Sequence, residues 1–413
     1  VNKTPETPSS DSSPELSAGP LTGIRILEMG QFIAGPFTGS ILAYYGADVI
    51  KIEPPGNGDP IRNWRTLKDG TSLWWRSIGR NKKSVTLNLR EEKGRDIARN
   101  LAGQCDVLIE NFRPGTMEKW GLGPDDMKAI NPGLVYSRIS GYGQTGPYSS
   151  KPGFASACEA IGGFRYLNGF PGEAPVRPNL SMGDTLASLH AVIGTLLALI
   201  HRGKVPDAGQ VVDTAIYESV FNMMESLVPE YDVAGVVREP SGTTLTGIVP
   251  TNTYRCSDDK FVVIGANADP IFQRLMRAAD RPEMAEDPRL ADNVGRVTHQ
   301  KEIDDAIGDW TATLTLENAL KSLDEAGVPC GPIYSVADMF DDPHFQARGL
   351  FERVDVDGET MTIPAITPQL EKTPGRTRWA GVTEPGAHNH EVLVDWLGLS
   401  EADLEQLKAA NIV

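Results

Sequence analysis

Cysteine, histidine and basic charge are all scarce in this chain of 413 residues. The four cysteines, Cys105, Cys158, Cys256 and Cys330, lie far apart, and no pair has CxxC spacing. That argues against a disulfide framework or a zinc ribbon, and it leads us to expect a reducing, cytoplasmic setting. The six histidines form no HExxH pattern, so no metal site is expected. Lysine and arginine number 39 against 55 acidic residues, for a net charge of −16. A nucleic-acid-coating protein carries the opposite sign, so no such partner is expected. The longest apolar stretch, Leu186–Ile200, is interrupted by His190. It falls short of the ~20 residues that span a bilayer, so a buried helix is expected there and no membrane partner. GxGxxG, GxSxG and P-loop patterns are missing too. Dinucleotide binding, α/β-hydrolase chemistry and ATP-driven ligation lose their support. Residues 1–19 are rich in Ser, Pro and Glu, without an apolar core or an arginine, and read as a disordered tail rather than a signal.

What is present is ample apolar material, 40% of the chain, in a length that suits two or three domains. Short apolar runs at Ile24–Met29, Asp48–Glu53, Ser84–Leu89, Asp106–Phe112, Leu134–Ser140 and Val211–Ile216 alternate with helical stretches. That alternation predicts an α/β fold with a parallel sheet covered on both faces. The expected plan is a large α/β domain over 20–228 and a smaller α+β domain over 229–340. A return segment, 341–413, completes the large domain, with a hairpin at Val354–Ile363 turning on Asp357-Gly358.

Four segments carry polar chemistry. The first, Gly30–Pro36, joins a strand to a helix. It is either a tight connection or a turn whose backbone N–H groups meet an anion. The second is Arg80-Asn-Lys-Lys83 with Arg90 beyond it, either a solvated charge run or a phosphate cradle. In the third, Glu110–Gly115 at a strand's end, Asn111 has a donor and an acceptor, Phe112 a stacking face and Arg113 a fixed charge. Lys119 follows about one helical turn on. The fourth, Ser181-Met-Gly-Asp-Thr185, opens the long apolar helix. Asp184 there reads first as a helix N-cap. A helix start also favours an ionised carboxylate, which can attack a thioester, and Gly183 would let a substrate approach closely.

Taken in order, these segments resemble class III CoA-transferases, the CaiB/BaiF family, from Leu21 nearly to the end. The resemblance rests on "PLTGIRILEMGQFIAGPFTGSILAYYGADVIKIEPPGNGDPIR", "GRNKKSVTLNLR", "CDVLIENFRPGTMEKWGLG", "ISGYGQTGPY", "PVRPNLSMGDTLASLHAVIGTLLALIHR" and "GVPCGPIYSVADMFDDPHFQARGLF". It implies a large Rossmann-like CoA-binding domain, a small domain and a homodimer of interlocked rings. It also implies that coenzyme A enters as a substrate, with no permanently bound cofactor. Asp184 matches the family's nucleophile, the carrier in a mixed anhydride and then an aspartyl-CoA thioester. Ala34, Leu87, Arg90, Asn111, Phe112, Arg113, Lys119 and Lys151 fall at positions that meet CoA.

Relatives often carry Tyr-Asp or Tyr-Glu after the lysine that matches Lys151. Here Phe154-Ala155 stands in that place, so the acid is either missing or supplied elsewhere, for example by Glu159. The stretch "PVRPNLSMGD" is similar to members that act on dicarboxylic acids, and Arg177 in it is a candidate partner for a distal carboxylate. The expected partners are acyl-CoA and small carboxylic acids. Two alternatives stay open. One is a 2-methylacyl-CoA racemase on the same fold, although Gly153–Ala157 lacks the histidine that racemases use. The other is a CoA-binding protein without catalysis.

Overall fold

The structure is a computed structural model and describes residues 19–413. Apart from Gly19, the expected tail lies outside the described residues. The described chain divides into two compact units. The first runs to Gly162 and adds Leu180–Met223 and Ala347–Val413; the second comprises Gly163–Asn179 and Met224–Gln346. The segment 163–179 was assigned to the large domain on sequence and here belongs with the second unit.

The first unit is built on six parallel strands: β1 (Arg25–Glu28), β2 (Asp48–Glu53), β3 (Lys82–Thr86), β4 (Val107–Glu110), β5 (Val135–Ser140) and β6 (Val211–Ala215). Their order across the sheet is β3-β2-β1-β4-β5-β6, every neighbouring pair parallel. That is the doubly wound, Rossmann-like order, which reverses direction beside β1. Strands covered on both faces must be apolar on both. Ile26, Val49, Val107, Ile109 and Ile139 accordingly pack on one face. Leu27, Ile50, Val85 and Leu108 pack on the other.

Helix α1 (Ala34–Tyr44) and the long helix α4 (Met182–Arg202) cover the first face. Helix α2 (Glu92–Gly103) covers the second, with Val392, Leu393, Leu404 and Ile412 of the return segment. Two short helices, α3 (Ala155–Ile161) and α5 (Ile216–Phe221), flank the start of α4.

Helix α4 is only half buried. Ala187, Ala191, Thr195 and Ala198 face the core, whereas Leu189, Ile193, Leu197 and Ile200 are exposed. By length and composition it is apolar enough to cross a membrane, and its inner face is that of a core helix.

The second unit carries a three-stranded antiparallel sheet of β7 (Thr251–Arg255), β8 (Phe261–Gly265) and β9 (Cys330–Pro332), in the order β9-β8-β7. Helices α6 (Asp269–Ala278), α7 (Gln300–Thr311) and α8 (Leu316–Glu325) bury Phe272, Leu275, Ile303, Ile307 and Leu323 with it. The hairpin appears as β10 (Phe351–Val356) and β11 (Glu359–Pro364), turning at Asp357-Gly358.

Candidate active site

In doubly wound sheets ligands bind beyond the carboxyl ends of the strands, where the strand order reverses. Here that place lies between the loops after β1 and β4, and the two loops are tied together. Gln31 donates its N–H to Asn111 Oδ1 at 2.7 Å, and Asn111 Nδ2 donates back to the Gln31 carbonyl at 2.8 Å. Both amide functions of Asn111 therefore hold the first loop. Gly30 and Gly35 allow it, since a Cβ on either would stand 2.9 Å or 3.4 Å from Asn111 Oδ1.

Buried charges brace the same loop from below. Lys51 lies 3.1 Å from Glu28 and 2.8 Å from Asp59, all fully buried, and also donates to the Gly30 carbonyl. Lys82 pairs with Glu28 at 2.8 Å and donates to the Pro36 carbonyl at 2.5 Å. Asp59 accepts the N–H of Phe32 at 3.1 Å. Glu53 is buried under Arg62, at 2.7 Å, and accepts from Ser84 at 2.6 Å. Burial pushes the Lys82 amine down to about 8 against the pull of Glu28. The run Arg80–Lys83 is thus neither a solvated face nor a phosphate cradle. Arg80, Asn81 and Lys82 are buried, and Lys83 pairs with Asp48 and Glu391.

Phe32 sits at φ 64°, in the left-handed region that a bulky side chain avoids. Strain of this kind persists where the surroundings impose it, and the bonds just described do so. The result is an aromatic wall. The Phe32 ring lies 5.0 Å from Trp64 and 6.3 Å from Phe154, and Trp64 lies 6.3 Å from Trp74.

Asp184 is in the first turn of α4, but it is not the N-cap. Ser181 holds that place, without a side-chain capping bond. The cap comes from α3 instead: the fully buried Glu159 accepts the Gly183 N–H on Oε1 at 3.0 Å. The lack of a side chain at Gly183 permits this packing. A Cβ there would stand 3.0 Å from Ile216 Cγ2 and 3.2 Å from Glu159 Cγ. Ser188 Oγ lies 2.7 Å from the Asp184 carbonyl and 2.8 Å from the Ala34 carbonyl, which joins α4 to the first loop. Burial, together with the carboxylates of Asp184 and Glu159, pushes the Cys158 thiol up to about 11. Cys158 is therefore a neutral thiol near Asp184.

The other expected positions divide by exposure. Ala34 and Leu87 are each 2% exposed, and Leu87 lies in the core beneath the sheet, so only its backbone can face a ligand. Phe112 is half-buried edge-on against Trp120 at 5.2 Å. Arg90, Arg113, Lys119 and Lys151 are exposed, and among the described residues none has an ion pair. Lys151 lies over the Tyr148 ring at 3.4 Å. Arg177 is exposed in the second unit, whereas Asp184 belongs to the first. Gly153–Ala157 contains no histidine. Sequence reasoning passed over Asp59, Lys51 and Trp74. Lys51 and Asp59 lie within the quoted opening stretch, but it gave neither of them a role.

A doubly wound sheet, a strained loop at its reversal point and a helix-borne carboxylate beside it suit an enzyme that handles a large anionic ligand. A family model described as CoA-transferase family III matches residues 21–389, and the chain belongs to that family. It is 47% identical to the succinyl-CoA–D-citramalate CoA-transferase of Chloroflexus aurantiacus over 95% of this chain and 98% of that one. It is 41% identical to the succinyl-CoA–L-malate CoA-transferase alpha subunit of the same organism, over 95% and 92%. Among solved structures, a CaiB/BaiF family protein from Brucella suis superposes with a TM-score of 0.81 at 30% identity, over 92% of this chain and 99% of that one. The protein is thus an enzyme of the CoA-transferase class.

Proposed function

We propose that this enzyme moves CoA from an acyl-CoA to a short dicarboxylic acid, with succinate as one partner and Asp184 as the covalent carrier. The observation that carries the reading is the placement of Asp184 on a helix start capped from outside, by Glu159 on the Gly183 N–H. Ser181, not Asp184, stands at the N-cap position of that helix. The dicarboxylate follows from the kinship with enzymes named for succinyl-CoA, citramalate and malate.

The Asp184 carboxylate attacks the donor thioester carbonyl, and the C–S bond breaks to give a mixed anhydride and CoA thiolate. The thiolate attacks the aspartyl carbon, releases the donor acid as carboxylate and leaves an aspartyl-CoA thioester. The acceptor carboxylate attacks that thioester and expels the thiolate again. The thiolate then takes the acceptor's acyl group, and Asp184 is restored as carboxylate. Dividing one exchange into such steps is the logic of nucleophilic catalysis.

Arg90, Arg113, Lys119 and Lys151 are the cations for the CoA phosphates, and Ala34 and Leu87 meet CoA through their backbones. Asn111 acts by holding the first loop, and Phe112 borders the nucleotide. The exposed stripe Leu189–Ile193–Leu197–Ile200 supports the expected homodimer, since an apolar stripe of this kind is a usual subunit contact. Asp184→Asn should lower transfer by at least about a thousandfold while CoA still binds. Transfer at the wild-type rate would mean that another group is the carrier. The racemase reading has no observation in its favour.

A further inference from the structure

A pocket of about 490 Å³ opens in the first unit against the first turn of α4. Its walls are Arg65, Leu73, Trp74, Leu180, Met182 and Thr185. Ser181 also lines it, and Ser181, Met182 and Thr185 flank Asp184 in the first turn of the helix. Its volume suits a small organic ligand. Most of the wall is apolar, and Arg65 is its charged member.

Arg65 differs from the arginines around it. Arg62 is paired with Glu53, Arg76 with Asp357, Arg80 with Glu352 and Arg138 with Glu110 and Glu118. Arg65 is exposed and, among the described residues, meets no carboxylate. Its guanidinium lies over the Trp74 ring, 4.5 Å from the centroid. Stacking of that kind fixes the plane of the group and leaves its N–H edge for a two-point bond to a carboxylate.

The backbone presents it deliberately. Arg65 sits at φ 59°, which a non-glycine residue rarely adopts. Both neighbours are pinned: the Trp64 carbonyl accepts from Ser72 Oγ at 2.7 Å, and the Thr66 carbonyl accepts the Leu73 N–H at 3.0 Å. The strained residue between them is thereby held at the pocket's edge.

We propose that this pocket takes the non-reacting end of the dicarboxylic acid, with Arg65 pairing its distal carboxylate and Leu73, Trp74, Leu180 and Met182 enclosing its carbon chain. The inference rests on the CoA-transfer reading and gives that site its substrate selectivity. It also moves the anchoring role from Arg177 to an arginine in the same unit as Asp184.

The test uses the full-length enzyme with succinyl-CoA as donor and two acceptors of equal chain length, succinate (isotope-labelled) and butyrate. In a substituted-enzyme mechanism the acceptor's kcat/KM does not depend on the donor half-reaction, so the ratio of the two values isolates the distal carboxylate. Arg65→Met should lower that ratio about tenfold or more, with Tm unchanged. Arg65→Lys, which keeps the charge without the fork, should lower it less. Arg177→Met should leave it near the wild-type value. An unchanged ratio in both Arg65 variants, or a fall in Arg177→Met alone, would overturn the assignment while CoA transfer itself stands. A wild-type enzyme that passes CoA to neither acid would remove the underlying reading as well.

Discussion

Two sets of cations in the first unit have opposite fates. Lys51, Lys82 and Arg62 are buried, each against a carboxylate within 3.1 Å. Arg90, Arg113, Lys119 and Lys151 are exposed without such partners among the described residues. In sequence the two kinds look alike, because Lys82 stands eight residues before Arg90 in one basic stretch. Burial separates them. A buried charge must be paired where it stands, so it serves the scaffold. An exposed one keeps its charge available for an anion, even on a chain whose net charge is −16. The buried set also reaches the site indirectly, since Lys51, Lys82 and Asp59 all bond to the backbone of the first loop.

The largest expected effect comes from breaking the buried set. Lys51→Met leaves Glu28 and Asp59 without one of their cations and should cost about 3–5 kcal/mol of stability, measured by urea unfolding. A loss under about 1 kcal/mol would show that the pairing is dispensable.

Glu53 gives the same contrast a pH signature. Burial pushes its carboxyl up, but Arg62, Lys51 and Ser84 outweigh that and hold it below its ordinary value of 4.5. A carboxyl lowered by folding stabilises the protein above the unfolded pKa, and the stability is lost as pH falls through the folded value. Glu53→Gln should therefore lower stability at neutral pH and flatten the decline below about pH 4.5. A decline as steep as the wild type's would assign it to other carboxylates.

Gly183→Ala is a smaller change in the same turn as Asp184. Its Cβ would press on Ile216 at 3.0 Å, so about 1–3 kcal/mol of stability and a measurable part of the transfer rate should go together. Full activity would show that this turn tolerates displacement.

The exposed set should respond in the reverse sense. Arg90→Ala and Arg113→Ala should change stability by less than about 0.5 kcal/mol yet raise the KM for acyl-CoA, with less salt dependence than wild type. A stability loss as large as that of Lys51→Met would erase the distinction.

Much of the first unit was legible because parallel strands declare themselves as apolar runs. Ile24–Met29, Asp48–Glu53 and Leu134–Ser140 each became a strand within a residue or so. The second unit was harder to read. Its β9 is only Cys330-Gly331-Pro332, too short to show a period, and β7 begins after a stretch rich in Gly, Thr and Pro. At the site, Asp184 was singled out by its order among neighbouring motifs. Glu159 was named as a candidate acid near it, but its bond to the Gly183 N–H from another helix was not legible, nor was the Ser188 link to Ala34 across 154 residues. Leu186–Ile200 was expected to be a buried helix, and its outer stripe is exposed. Composition records that a helix is apolar, not which of its faces is covered.

The most direct measurement is mass spectrometry of the full-length enzyme incubated with succinyl-CoA and hydroxylamine, followed by peptide mapping. An activated aspartyl carbonyl should be captured as a hydroxamate on Asp184, and Asp184→Asn should abolish the adduct. Recovery of the hydroxamate on Glu159 or another carboxylate, with Asp184 unmodified, would contradict the assignment of Asp184 as the carrier.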